Sequence, residues 1–126
     1  VYDLCDENNL HESAGLGQTL ESSIIKVSKT EAPDLWRSGS PMHRIHRDAP
    51  PFLIVQGDSD SLVSVPEARL FSKQLGALSK QPVVYAEISG GQHAFDMFPS
   101  LRSEHVKDGV VRFLCFLYSR YLSTAD

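Results

Sequence analysis

At 126 residues, 41% hydrophobic and 22% charged, the chain has the make-up of one ordinary folded domain with a modest core. Its formal net charge of −4 argues against a nucleic-acid partner, because a backbone-binding face needs a basic surplus to displace counterions. No run approaches the roughly 18 apolar residues needed to cross a bilayer, and no leader pattern opens the chain, so no membrane segment and no targeting signal are read and the compartment stays open.

Taken in order, Val1 to Leu4 is apolar apart from Asp3 and reads as the exposed end of a strand. The polar stretch Cys5 to His11 reads as a loop. Leu16, Leu20, Ile24 and Val27 recur at four, four and three and predict one face of a helix. Between Lys29 and Ser40, Pro33, Asp34 and Gly39 leave room for at most a helical turn, in which Trp36 packs its ring on a neighbouring element. Two prolines, Pro50 and Pro51, then stop the chain before Phe52 to Gln56, a short apolar run of strand-forming residues expected to be buried on both faces. Past Gly57 the composition flips to Asp58, Ser59, Asp60 and Ser61, a polar turn that presents carboxylates at the sheet edge.

Ser64 and Glu67 stand in the S-x-x-E arrangement of a capping box with Pro66 inside the first turn, which predicts a helix start. Ala68, Phe71, Leu75 and Leu78 give that helix an apolar stripe, with Arg69, Lys73 and Gln74 facing water. Val83 to Ile88 is a second strand, breaking into Ser89-Gly90-Gly91-Gln92-His93, where paired glycines free the backbone to turn tightly. Strand, helix, strand with a single crossover implies a parallel pair in a right-handed βαβ unit. A last helix, roughly Leu101 to Leu122, carries a broad apolar surface suited to packing on the sheet.

In open α/β sheets chemistry sits at the carboxyl ends of strands. Here an acid follows one strand and a histidine the next. Gly57-x-x-Asp60 with Leu62-Val63, followed by Gly90-x-x-His93-Ala94-Phe95, resembles the C-terminal part of the α/β-hydrolase esterases and lipases. Ser40-Pro41-Met42-His43-Arg44-Ile45 and Asp48-Ala49-Pro50-Pro51 look like the segment leading into the acid-bearing strand of bacterial carboxylesterases, and Val1-Tyr2-Asp3 looks like the tail of the preceding strand in those enzymes. The resemblance implies an α/β fold: residues 1–126 as one partial hydrolase domain, with 1–49 a loop and helix segment near the pocket and 50–126 a βαβα unit. The sheet expected of this chain is two full strands plus a stub. A portion with open strand edges invites association, with itself or with the rest of such a domain.

The resemblance further implies a serine hydrolase acting on small-molecule carboxylic esters, with Asp60 and His93 as the acid and base of a catalytic triad. Serine acyl transfer needs a base for the hydroxyl proton and a carboxylate to hold the imidazole tautomer, in the chain order acid then histidine. The family pattern selects Asp60 over Asp58, which is read as capping the turn; Asp96 is read as the start of the last helix, and Glu87 as a strand residue pointing away from the site. No G-x-S-x-G and no His-Gly-Gly run occurs. Glu12-Ser13-Ala14-Gly15 looks like an esterase nucleophile turn, but His11 stands where its first glycine belongs, so Ser13 is read as a decoy and the nucleophile and oxyanion hole as absent from this chain.

No cofactor and no metal site is read. His43 and His46 lack a further ligand at suitable spacing and default to polar loop residues, and Cys5 and Cys115 stand too far apart in sequence to suggest a disulfide framework. In the related esterases the region of Trp36 lies beside the substrate site, although packing is the preferred reading of that ring. Two alternatives stay open at this level: a prolyl-oligopeptidase-like peptidase, which would share both motifs, and a non-catalytic binding module on the same fold, which loss of contact between Asp60 and His93 would favour.

Overall fold

The computed structural model describes residues 1–11 and 16–124. Its centre is a parallel pair, β1 (Phe52–Gly57) and β2 (Val83–Ile88), in register from Phe52 opposite Val83 to Gly57 opposite Ile88. The crossover between them is α3 (Val65–Leu78). Ser64 caps α3, its Oγ accepting from the Glu67 N–H at 3.4 Å, and Pro66 lies in the first turn. The predicted βαβ arrangement of elements is present.

Because side chains alternate along a strand, the sheet has two distinct faces. Ile54 of β1 turns toward α3 and joins Phe71 and Leu75 in a buried cluster with Met42 and Ala49, against which Phe52, Val83 and Tyr85 pack. The predicted stripe of α3 is buried at Ala68, Phe71 and Leu75, while Leu78 is exposed. The opposite face, carrying Leu53 and Val55 of β1 with Val84 and Ala86 of β2, looks toward α4 (Leu101–Thr124) across a groove of about 510 Å³ completed by Val106, Val110 and Phe113. β1 is therefore covered fully on one face only, not on both.

The N-terminal half departs further from expectation. Val1 to Leu4 forms no strand; the described sheet has two strands, and the stub is a loop tied to the α3 side by Glu67. In a capping box, the Glu67 carboxylate would reach back to the cap. Instead it turns inward, 1% exposed, and its Oε1 accepts from the Tyr2 N–H at 2.5 Å and from the Asp3 N–H. The helix after residue 15 starts as α1 (Leu16–Thr19) and widens into a π-helical segment, Leu20–Ile25. The i→i+5 hydrogen bonding of a π-helix widens the turn, so that Ile25 packs on the Leu20 cluster while Ile24 ends up 65% exposed. Next, α2 (Pro33–Gly39) is longer than the single turn expected. Its Trp36 is buried against Leu20 and Cys5, with Nε1 donating to the Val27 carbonyl at 3.0 Å, so the ring is a packing element.

No described helix is long and apolar enough to cross a membrane.

Candidate active site

The carboxyl ends of β1 and β2 are held together beyond the strands themselves. The Asp58 N–H donates to the Ile88 carbonyl at 3.1 Å, and the Ser59 N–H to the Gly91 carbonyl at 3.0 Å. This contact is so close that a Cβ built on Gly57 would stand 2.2 Å from the Gly91 oxygen. Only glycine fits there. Asp58 caps the turn in an unexpected direction, across to the second loop, where Oδ1 accepts from the Gly90 N–H at 2.7 Å; Gly90 takes a positive φ of 65°, which suits a residue without a Cβ. Two loops are thus locked side by side, one carrying the acid and the other the imidazole.

Asp60 and His93 meet across this junction. His93 Nδ1 lies 3.0 Å from Asp60 Oδ2, within the reach expected for a carboxylate that orients an imidazole. The other carboxylate oxygen, Oδ1, accepts from the backbone N–H of Leu62 at 2.9 Å and of Val63 at 2.8 Å. Burial by itself would raise this carboxyl's pKa; the Val63 and Leu62 N–H groups and His93 outweigh it and hold the group below the ordinary aspartate value. With Nδ1 engaged by an ionised acid, Nε2 on the far side of the ring is the nitrogen left to take a proton. The Asp60 side chain is 8% exposed and that of His93 is 46% exposed, so the carboxylate is shielded and the imidazole reaches solvent. Ala94, directly after the histidine, sits in the left-handed region at φ 54°, a conformation that costs a non-glycine residue about 1 kcal/mol and persists where surroundings dictate it.

A third residue shares the carboxylate. Gln56, 4% exposed at the end of β1, donates from Nε2 to Asp60 Oδ2 at 3.0 Å and to the Val63 carbonyl at 3.2 Å. It escaped the sequence reading, although one amide at the end of an otherwise apolar strand run is a legible signal for a buried partner. Both donors to Oδ2 hold the carboxylate's charge in place. Tyr2 lies on the same side, stacked on Phe71 at 4.7 Å between ring centroids; burial, then the Glu67 and Asp60 carboxylates, push its phenol pKa up. Tyr2, Gln56, Asp60, His93, Phe95 and Asp96 line a cleft of about 290 Å³. Asp96 lies in a short 3₁₀ turn, Phe95–Met97, and does not start α4. Glu87 points away from this cleft toward α3, where Arg69 holds it. Ser13 lies outside the described residues.

A match to the BD-FAE family covers residues 1–75. The chain belongs to the BD-FAE family. Among curated proteins, it is 44% identical over 100 residues to the probable carboxylic ester hydrolase LipM of Mycobacterium tuberculosis, an alignment over 79% of this chain and 23% of that protein. To the esterase LipQ of the same organism it is 34% identical over 95% of the chain and 28% of LipQ. An esterase from the planctomycete Thermogutta terrifontis, solved with propionate bound, superposes with a TM-score of 0.63 at 25% identity, over 86% of this chain and 39% of that one. The chain thus has the α/β-hydrolase fold of an esterase-like protein, and it spans about a quarter of the length of the curated relatives it matches. That BD-FAE match includes Gln56 and Asp60, and the LipQ alignment extends over nearly all of the chain.

Proposed function

We propose that this chain is the acid-and-base portion of a serine carboxylic-ester hydrolase. Nucleophile and oxyanion hole would come from outside these residues. The reading rests on the Asp60–His93 pair: an ionised carboxylate fixed by two backbone N–H groups, 3.0 Å from Nδ1 of an imidazole open to solvent. His93 Nε2 takes the proton of the attacking serine hydroxyl and returns it to the departing alkoxide; Asp60 holds the tautomer that leaves Nε2 basic and stabilises the imidazolium once formed. Gln56 keeps Oδ2 aimed at the ring. The names of LipM and LipQ favour carboxylic esters as substrates, and the propionate bound in the Thermogutta esterase favours a short acyl chain.

Acid and base only assist a nucleophile, so the chain alone leaves a chromogenic short-chain ester intact. The test mixes the chain with the nucleophile-bearing N-terminal portion of the Thermogutta esterase. Ester hydrolysis is expected in the mixture, falling on the order of 10⁴-fold or more with His93→Ala and somewhat less with Asp60→Asn. Activity in the mixture that ignores His93→Ala would sink the assignment, as would robust activity of the chain alone that disappears with Ser13→Ala.

A further inference from the structure

Away from the Asp60–His93 cleft, the chain gathers a second set of chemically assorted side chains. Asp3, Cys5 and His43 each offer one ligand atom, and those atoms all lie within 4.8 Å of one another. Asp3 is 2% exposed and Cys5 4%. His43 Nε2 is buried without a hydrogen-bond partner, 3.7 Å from Asp3 Oδ1 and 3.6 Å from Glu7 Oε1. Those separations are too long for hydrogen bonds. They are close to the ligand-to-ligand edge of a tetrahedron around zinc, roughly 3.3 to 3.6 Å when bonds run from about 2.0 to 2.3 Å.

We infer that Asp3, Cys5 and His43 form a three-residue binding site for a divalent transition metal of the zinc type, with the fourth position left to a solvent molecule. The donor set favours such an ion: thiolate and imidazole suit zinc, whereas calcium and magnesium take oxygen ligands. Outer partners orient the ligands as metal sites require. Asp3 Oδ1 also accepts from the Cys5 N–H at 3.0 Å, and Asp3 Oδ2 from the Glu7 N–H at 2.9 Å, which fixes the carboxylate between the other ligands. The Ser40 hydroxyl lies 3.4 Å from Asp3 Oδ1. Two cations border the cluster: Lys29 donates to the Cys5 carbonyl, and Arg37 holds Glu7 Oε1 at 2.7 Å. Glu7, its side chain 44% exposed and its Oε1 held by Arg37, stands at the solvent side of the cluster. Binding exchanges the thiol proton, released to solvent, for the metal–sulfur bond. A metal there would pin the loop of residues 3–7 to the short turn Pro41–Arg44.

Cobalt(II) is the probe, because a thiolate ligand gives it a charge-transfer absorption that histidine and carboxylate ligands do not. The metal-free, reduced chain is titrated with Co²⁺, then with Zn²⁺ in competition. One equivalent is expected to bind with a thiolate charge-transfer band and tetrahedral ligand-field bands, Zn²⁺ displacing it. Cys5→Ser is expected to abolish the charge-transfer band and His43→Gln to weaken binding by at least about tenfold. In Cys115→Ser, which removes the exposed second thiol, the band is expected to remain, and this variant decides the question even where the buried substitutions disturb folding. A wild-type chain with no charge-transfer band, a band that disappears with Cys115→Ser, or binding untouched by His43→Gln overturns the site.

Discussion

Gly57 carries more of the site's geometry than its lack of side chain suggests. Its backbone lies so near Gly91 that any Cβ would collide with a carbonyl oxygen, and that carbonyl also accepts the Ser59 N–H that joins the two loops. Gly57→Ala is expected to destabilise the fold by about 3 kcal/mol and to part Asp60 from His93. Denaturant unfolding gives the first, and loss of the downfield imidazole N–H resonance gives the second. A variant with unchanged stability and an intact resonance would contradict the close packing. Charge at the strand end is testable by pH. Glu87 accepts from Arg69 at 2.8 and 2.5 Å and from the Tyr85 hydroxyl at 2.7 Å, and these donors, led by Arg69, bring its pKa down to about 2. A carboxyl whose folded pKa is depressed contributes stability above its unfolded value, near 4.5, and loses it as pH falls through the folded one. Melting temperatures of the wild type and Glu87→Gln should therefore differ at neutral pH and converge between about pH 4.5 and 2. A constant difference across that window would mean the ion pair is not linked to folding.

At the scale of elements, β1, α3 and β2 were legible because each carries its own local signal: a proline stop, a serine cap, an apolar stripe at helical spacing. Asp60 and His93 were legible as candidates for the same reason, each standing three residues after a glycine at or just past the end of a strand. What the spacing could not disclose are features decided by tertiary contact. The inward turn of Glu67, away from its cap, depends on the Tyr2 and Asp3 N–H groups far off in sequence. The π-helical widening that trades Ile24 for Ile25 depends on the Leu20, Trp36 and Cys5 cluster. Nor could a pattern of histidines reveal that His43 meets Cys5, since no short spacing links them. Among the legible elements, α3 holds the sheet through Phe71, which is 4% exposed, stacks on Tyr2 and meets Phe52 edge-on at 6.1 Å. Phe71→Ala should cost about 3 to 5 kcal/mol, read from urea or thermal unfolding. A loss under about 1 kcal/mol would show that α3 is not the element that covers the sheet.

For the whole molecule, the apolar surface is distributed unevenly. One face of the sheet is closed by α3, while the groove under α4 stays open and Val84, Val111, Leu114, Phe116, Tyr121 and Leu122 are all at least 41% exposed. In a two-stranded parallel sheet both strands are also edges, each with a row of backbone groups turned outward. A soluble monomer rarely shows a contiguous apolar patch beyond a few hundred square ångströms, and a long helix with apolar residues around most of its circumference is ordinarily buried. The chain is accordingly expected to associate as its concentration rises and to bind a hydrophobic dye even under native conditions. Light scattering across a concentration series measures the first and dye fluorescence the second. Replacing Leu114 and Phe116 with serine should reduce both signals without lowering the melting temperature, because these side chains are 57% and 47% exposed and contribute little to the chain's own core. A wild-type chain that stays monomeric at high concentration and leaves the dye dark would mean that α4 closes over the sheet in solution, burying the groove that separates them here.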